Sequence, residues 1–402
     1  MVFRVPPDGD GRSAYLAELA GLIWPTPAEP TLRKGGRDGW VVVPSAARPR
    51  LLVPTGSPRA AANAVRHSTE AVGRKAKLVR HGLATAFRLG LGPLVFRDRV
   101  AVAGGGLDAY LAEVLGVPAL VSMHIGPARA NRKPVLQLLG RDGRALGYAK
   151  LGVDPLTRTL VHEEAAALRR LADLPLGPVT VAKVLHHGDW HGHALLVQEA
   201  LPVRLPRATP AAAEAAERAA MVAVAGCLGV RRQSYAGSGH AARLADAIDE
   251  LGARPEAGRL RAVLKSVADA DPVVAFGAWH GDWNGGNSAV LADGRVLVWD
   301  WERFSGDVPV GYDALHRAVQ MAIGHDGVDP TEAARALIAD APATLAPFDP
   351  DGRAADLVAV LYLVELAARY LRDRQAEAGA RLGHVDAWLL PAVEEHLARR
   401  AR

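Results

Sequence analysis

His280-Gly281-Asp282-Trp283-Asn284-Gly285-Gly286-Asn287, followed thirteen residues later by Asp300 within Val298-Trp299-Asp300-Trp301-Glu302, is the stretch on which the reading of this sequence turns. It offers an aspartate, an asparagine five residues on, and a second aspartate beyond a short strand hairpin. Phosphoryl transfer to a hydroxyl needs such a set. One carboxylate orients and deprotonates the acceptor, while an amide oxygen and the other carboxylate hold magnesium against nucleotide phosphates. Gly285 and Gly286 are expected to let the loop bend so that both its ends face one point. Residues 288–301 have strand character folded at Asp293-Gly294, a tight-turn pair that brings Asp300 back beside Asn287.

Outward from the loop, residues from 209 onward read as mostly helical, with segments up to 225 and at 241–251, 257–268, 313–324, 331–341, 354–375 and 384–400. Upstream, 119–125, 134–139 and 145–151 are strand-like, and the last two are joined by an Asp142-Gly143 hairpin signal. Residues 160–172 then place Leu160, Ala165, Leu168 and Leu171 at helical spacing, and 181–185 and 194–199 give two more strands. Before these lie a helix at 13–23, short strands at 40–43 and 51–53, a basic helix or helix pair after Pro58, and a helix at 108–115 closed by Gly116. The expected domains are 1–115, an N-terminal extension without an assigned role; 116–201, a small antiparallel-sheet lobe; and 202–402, a larger helical lobe.

The strings HGDWNGGN and VWDWE resemble the aminoglycoside phosphotransferase and choline kinase group, small-molecule kinases with a protein-kinase-like fold, whose pattern is HGDxxxxN followed by an aspartate in a short IDW or IDF context. The resemblance covers about residues 117–375 and implies a bilobal α+β fold with an extra N-terminal α/β segment. By it Asp282 is the catalytic aspartate, Asn287 and Asp300 are magnesium ligands, and His280 braces the loop. Lys150, at the end of the third strand, and Glu164, in the helix that follows, resemble the family's pair that reaches the α and β phosphates. Glu163 points about 100° away on the helix, which favours Glu164. Glu199 and Leu201 lie where the family's hinge binds adenine through backbone groups. The 126–133 turn holds one glycine, unlike a glycine-rich loop. Either its amides near 128–131, with Arg129 or Arg132, cover the phosphates, or it is a plain basic hairpin turn. Asp313 resembles a later aspartate that hydrogen-bonds the catalytic loop.

Four other features stand beside these, and three of them have two readings each. His187-Gly188-Asp189-Trp190 repeats the loop's tetrapeptide, but Ala194 stands where a metal ligand would be, so a hairpin turn is expected. The histidines 186, 187, 191 and 193 either ligate a transition metal or alternate uselessly along a strand. Trp283 either stacks on an acceptor ring or joins the core, where at least two of Trp279, Trp283, Trp299 and Trp301 are expected. Glu302 and Asp307 are receivers for a cationic acceptor or ordinary exposed carboxylates.

Half of the 402 residues are hydrophobic and 23% are charged, which excludes disorder, collagen and a pure coiled coil. The longest apolar stretches, such as 357–364, fall short of the ~20 residues a membrane span needs, and the N-terminus lacks a secretory pattern. A cytoplasmic protein is expected. Cys227 is the only cysteine, so no intrachain disulfide and no multi-cysteine zinc site exists. The net charge of +5 divides into +11 over residues 1–204 and −6 over 205–402. The basic half reads as arginine on solvated faces or as a surface for an acidic partner, with no nucleic-acid motif.

The expected activity is ATP- and magnesium-dependent phosphorylation of a hydroxyl on a sugar, aminosugar or amino alcohol. The alternatives are a peptide Ser/Thr kinase and a non-catalytic nucleotide-binding scaffold on the same fold.

Overall fold

The computed structural model describes residues 11–36, 38–67, 74–126, 132–349 and 352–402. They form an α+β protein of two compact units. Of the described residues, the first comprises those up to 126, 132–161 and 183–200, and the second those at 162–182 and from 201 onward. No helix among the described residues is long and apolar enough to cross a membrane.

The first unit is built on one nine-stranded sheet. Its strand order is Thr31–Lys34, Asp98–Ala101, Trp40–Val43, Leu51–Pro54, Leu120–His124, Val135–Leu139, Ala145–Gly152, His193–Glu199, Val184–Trp190, and neighbouring strands pair antiparallel. The expected boundary at 115 is therefore not a boundary. Leu51 and Leu52 pair with His124 and Met123, so the first 115 residues extend the meander's sheet rather than forming a body of their own. The physical reason lies in the apolar edge that Leu120–His124 would otherwise expose, since unpaired strand edges need cover. Trp40 Nε1 donates to Val121 O at 2.8 Å, and Ser122 Oγ to Leu52 O at 2.8 Å, across the seam.

The continuous apolar runs at 40–43 and 51–53 follow from cover on both faces of the sheet. Val42 and Leu52 pack with the helices Arg12–Ile23 and Leu107–Leu115, whereas Val41, Val43, Leu51 and Val53 pack with Pro58–His67 and Arg74–Arg88. The anticipated helix pair after Pro58 is these last two. Past the end of that pair, Leu89, Leu91, Leu94 and Val95 are exposed.

In the second unit the helix Ala355–Arg372 runs through the core. It is apolar on almost every side, as a helix surrounded by others must be. Around it lie Gly239–Asp249, Pro255–Ala270, Tyr312–Gly324, Pro330–Ala339 and Leu389–Arg400, close to their expected spans. Ser238 accepts from the Ala241 amide, and Asp329 from those of Thr331 and Glu332, giving side-chain caps where helices start. Two small sheets carry the loop of interest. One orders Arg231–Ser234, Val273–Trp279 and Ser305–Pro309; the other orders Ser288–Val290, Val296–Val298 and Val179–Thr180.

Candidate active site

Residues 280–287 connect the strand Val273–Trp279 to the hairpin Ser288–Val290/Val296–Val298. The hairpin turns at Gly294 with φ +88°, and Asp293 Oδ1 accepts the Arg295 amide at 3.1 Å. On its return, Trp299 N–H donates to Asn287 O at 3.1 Å, which sets Asp300 one residue beyond Asn287's neighbour across the hairpin. Asp300 takes φ +65°, a left-handed conformation that a non-glycine residue holds only when its surroundings impose it.

The bend of the loop is made differently from the expectation for Gly285 and Gly286. Neither takes a positive φ. Asn284 shapes that turn instead, with Oδ1 accepting the Gly286 amide at 2.8 Å and Nδ2 donating to Asp282 O at 3.1 Å. The glycine the backbone does require is Gly281, at φ +89°, where a Cβ would stand 2.4 Å from Arg303 O.

His280 is fully buried and uses both ring nitrogens. Nδ1 accepts the Asp282 amide at 3.1 Å, so the proton is on Nε2, which donates to Trp299 O at 3.0 Å. Burial pushes its pKa down to about 4, and the imidazole is neutral. It thus ties the loop to the returning hairpin and has no surface to offer a substrate. Asp313, at the start of Tyr312–Gly324, anchors the same loop from below: Oδ2 accepts the His280 amide at 2.7 Å and Oδ1 the Gly281 amide at 3.1 Å. Burial pushes the Asp313 carboxyl up to about 7, against the pull of those two amides.

Asp282 stands apart from these groups because its side chain keeps 43% of its surface open. Its Oδ2 accepts from Asn287 Nδ2 at 2.9 Å, and its Oδ1 from His316 Nε2 at 3.0 Å. Burial opposes its charge, but the hydrogen bond from His316 and the nearby positive charge of Arg369 hold the carboxyl well below the usual range. Asn287 Nδ2 also donates to Asp282 O at 2.9 Å. A carboxylate only accepts, so the carboxamide must turn its nitrogen to Asp282 and keep its oxygen outside that pairing. That oxygen and the Asp300 carboxylate suit magnesium, which takes one or two protein oxygens and fills its shell with water and phosphate. Among the described residues no group of three or more His, Cys, Asp or Glu side chains could hold a metal ion, which includes the histidines of 186–193.

Three contributors had no role in the sequence reading. His316 lies one turn after Asp313 on the same helix face, and Tyr362 and Arg369 are seven residues apart on the central helix. Arg369 is half-buried, donates through Nη1 to Gly281 O, and has its guanidinium 5.9 Å from the Trp279 ring centre. The i, i+3 spacing of Asp313 and His316 was the only signal in the sequence.

The other expected residues are placed as follows. Trp279, Trp283 and Trp301 are core, which removes Trp283 as a stacking surface; Trp299 is half-buried against the cluster of Ala289, Leu291 and Leu297. Glu302 is buried, and Asp307 is paired with Arg231 and Arg243, so neither is a free receiver for a cation. Lys150 is buried in the first unit, in register with Val135 and Leu196. Glu164 is buried and Glu163 exposed on the helix Pro155–Leu171, and Glu164 belongs to the second unit. Glu199 ends its strand, with its amide donating to Lys183 O at 2.8 Å; the second unit begins again at Leu201. Arg129 lies outside the described residues, and Arg132 sits 3.4 Å over the Tyr15 ring.

No protein-family model and no curated protein sequence matches the chain. Among solved structures it is similar to a macrolide 2'-phosphotransferase from Brachybacterium faecium, with 19% identity, 71% of this chain and 98% of that one covered, and a TM-score of 0.43. It is similar also to an ethanolamine kinase from Plasmodium vivax, with 8% identity, 82% and 89% covered, and a TM-score of 0.40. A third is an aminoglycoside phosphotransferase from Alicyclobacillus acidocaldarius, with 12% identity, 66% and 90% covered, and a TM-score of 0.32. At these identities and scores the functional reading rests on the loop's own residues.

Proposed function

We propose that this chain is a phosphotransferase that moves the γ-phosphoryl group of a nucleoside triphosphate, ATP in the first instance, to a hydroxyl of a small molecule such as a sugar, aminosugar or amino alcohol. The observation that carries the reading is the Asp282 carboxylate: anionic, open on one side, and held through both oxygens by Asn287 and His316. A carboxylate so fixed is suited to accept the hydrogen bond of an acceptor hydroxyl and to take its proton as the new O–P bond forms and the bond to the departing nucleoside diphosphate breaks.

Asn287 and Asp300 are the proposed magnesium ligands; magnesium, when bound, neutralises charge on the phosphate oxygens. The protein's share is to keep these groups in place. Asp313 fixes the backbone leading into Asp282, His280 ties it to the returning strand, and the hairpin at Asp293-Gly294 returns Asp300. Preorganised groups of this kind need no rearrangement at the moment of transfer. Lys150, Glu164, Glu199 and Leu201 are proposed nucleotide-binding residues, each tested by nucleotide affinity after substitution.

The test is a nucleotide-consumption screen with magnesium against sugars, aminosugars, amino alcohols and Ser/Thr peptides, with Asp282→Ala as the blank. Turnover on one small-molecule class that is lost in the blank and in Asp300→Ala supports the reading. Equal signal from the blank overturns it. Turnover on peptides alone selects the protein-kinase reading, and nucleotide binding without any turnover selects the scaffold.

A further inference from the structure

The two oxygens of Asp282 are held from two different places. Asn287 belongs to the same loop and would follow it if it moved. His316 lies 34 residues on, in the helix Tyr312–Gly324, and its Nε2 meets Asp282 Oδ1 at 3.0 Å. The imidazole is buried on all sides, and its Nδ1 meets Tyr362 Oη at 2.9 Å; Tyr362 is fully buried in the central helix Ala355–Arg372. We infer that His316 is a positioning residue for the reaction, fixing the plane of the Asp282 carboxylate through Nε2–H, and that Tyr362 fixes the imidazole in turn. The inference deepens the reading just proposed and rests on it, since it takes Asp282 as the group that meets the acceptor.

The chain of donors has one sense. A carboxylate accepts and does not donate, so the nitrogen facing Asp282 must carry a proton. Burial makes a charged imidazole unfavourable, and a neutral one has a single N–H. Nδ1 is then a lone pair and accepts from the Tyr362 hydroxyl. Tyr362 donates to His316, and His316 donates to Asp282. The second oxygen of Asp282 is already engaged by Asn287 Nδ2 at 2.9 Å. Rotation of a carboxylate about its last bond is soft and broad when nothing holds it. Two donors from different elements remove that freedom, and what they leave open is the side on which an acceptor hydroxyl can approach. His316 never touches the acceptor; its effect passes through Asp282.

A histidine that merely filled space would behave differently under substitution. Glutamine carries its NH2 group near the position of Nε2, and asparagine near that of Nδ1. Turnover of Mg·ATP, with water as the acceptor if the screen yields no better one, is to be measured for the wild type, Asp282→Ala, His316→Ala, His316→Gln, His316→Asn and Tyr362→Phe. His316→Ala is expected to lower kcat by about a hundredfold with the KM for Mg·ATP unchanged, the effect of a misplaced reacting group. His316→Gln restores most of the loss, His316→Asn does not, and Tyr362→Phe costs roughly three- to tenfold, the worth of one neutral hydrogen bond.

The tautomer is read separately, by NMR of the protein with nitrogen-labelled histidine, the His316 signal being the one missing in His316→Gln. It should show Nε2–H, with a shift of that proton in Asp282→Asn. If His316→Ala does not fold, the Gln and Asn variants and the tautomer decide. Equal rates in the Gln and Asn variants, an unchanged kcat in His316→Ala, or an Nδ1–H tautomer overturns the inference while leaving Asp282 in its role. Wild-type turnover that survives Asp282→Ala, or no wild-type turnover at all, overturns the parent reading and the inference with it.

Discussion

The same four residues, His-Gly-Asp-Trp, occur at 187–190 and at 280–283, and they do two different things. At 187–190 they finish the strand Val184–Trp190, and a two-residue turn at His191 and Gly192, with φ of +48° and +82°, leads to the next strand. Asp189 is exposed there, and its Oδ1 accepts the Gly192 amide at 2.7 Å, while Trp190 packs into the core with Nε1 donating to Leu22 O. At 280–283 the glycine takes a left-handed conformation, the histidine is sealed in, and the aspartate is held open between two donors. The tetrapeptide is common to both sites. What differs is the partner supply: Asn284 and Asn287 from the next turn, Asp313 and His316 from one helix, and Arg369 from another.

The largest expected effect is on turnover. Asp282→Asn should lower Mg·ATP turnover by about a thousandfold or more, the upper part of what a general base contributes. Asp189→Asn should leave it unchanged, because that carboxylate serves only its turn. Parallel initial-rate measurements on the two variants decide it, and equal losses would break the distinction between the sites.

Glycine gives the next contrast. An added Cβ at Gly281 meets the Arg303 carbonyl oxygen at 2.4 Å, at φ +89°, whereas one at Gly188 meets the far end of the His186 side chain at 2.9 Å, with no positive φ. Gly281→Ala is therefore expected to cost about 2–4 kcal/mol of stability. Gly188→Ala should cost about 1 kcal/mol or less. Urea unfolding midpoints of the two variants measure the difference, and a tolerant Gly281→Ala would show that the loop's backbone is less constrained than its neighbours imply.

The loop itself was legible in the sequence because its information is local. The Asp282–Asn287 spacing, the Asp293-Gly294 turn and the return of Asp300 lie within two dozen residues, and each has a turn or strand signature. The helices of the second unit were legible for the same reason, through apolar periodicity. The pairing of Leu52 with Met123 was not: it joins segments 71 residues apart, and nothing in a short apolar run names its partner strand. His316, Tyr362 and Arg369 were invisible on the same ground. A histidine on an amphipathic helix looks like any buried side chain until the fold brings Asp282 to it. Gly285 and Gly286 misled because glycine permits a bend without requiring one, and here the Asn284 side chain supplies the turn.

Protonation tests the 280–283 copy from another side. The His280 pKa falls from 6.5 to about 4 on folding, so between those values the unfolded chain binds the proton that the native state refuses. The sign follows directly: this contribution is complete above pH 6.5 and is lost as the pH falls toward 4. Burial raises Asp313 to about 7, which has the opposite sign and lowers stability as the pH rises from about 4 to 7. Comparing His280→Gln with the wild type removes the first effect and leaves the second. The wild type should lose about 3 kcal/mol relative to the variant between pH 6.5 and 4. Stability curves that stay parallel across this range would mean that His280 is not held neutral by the fold.

The smallest effect belongs to the other aspartate. Asp189 makes one hydrogen bond in an exposed turn, to the Gly192 amide, and water can replace it when it is lost. Asp189→Ala should cost about 0.5–1 kcal/mol. Asp189→Asn should recover it, since a carboxamide oxygen accepts as a carboxylate does and no nearby charge is needed for the turn. Asp282→Asn cannot recover in the same way. A carboxamide there would have to present its N–H group to either Asn287 Nδ2 or His316 Nε2–H, a donor facing a donor. One substitution, Asp to Asn, is thus nearly silent in one copy of the tetrapeptide and disruptive in the other. Thermal unfolding of the two variants side by side measures that asymmetry without any assumption about the substrate.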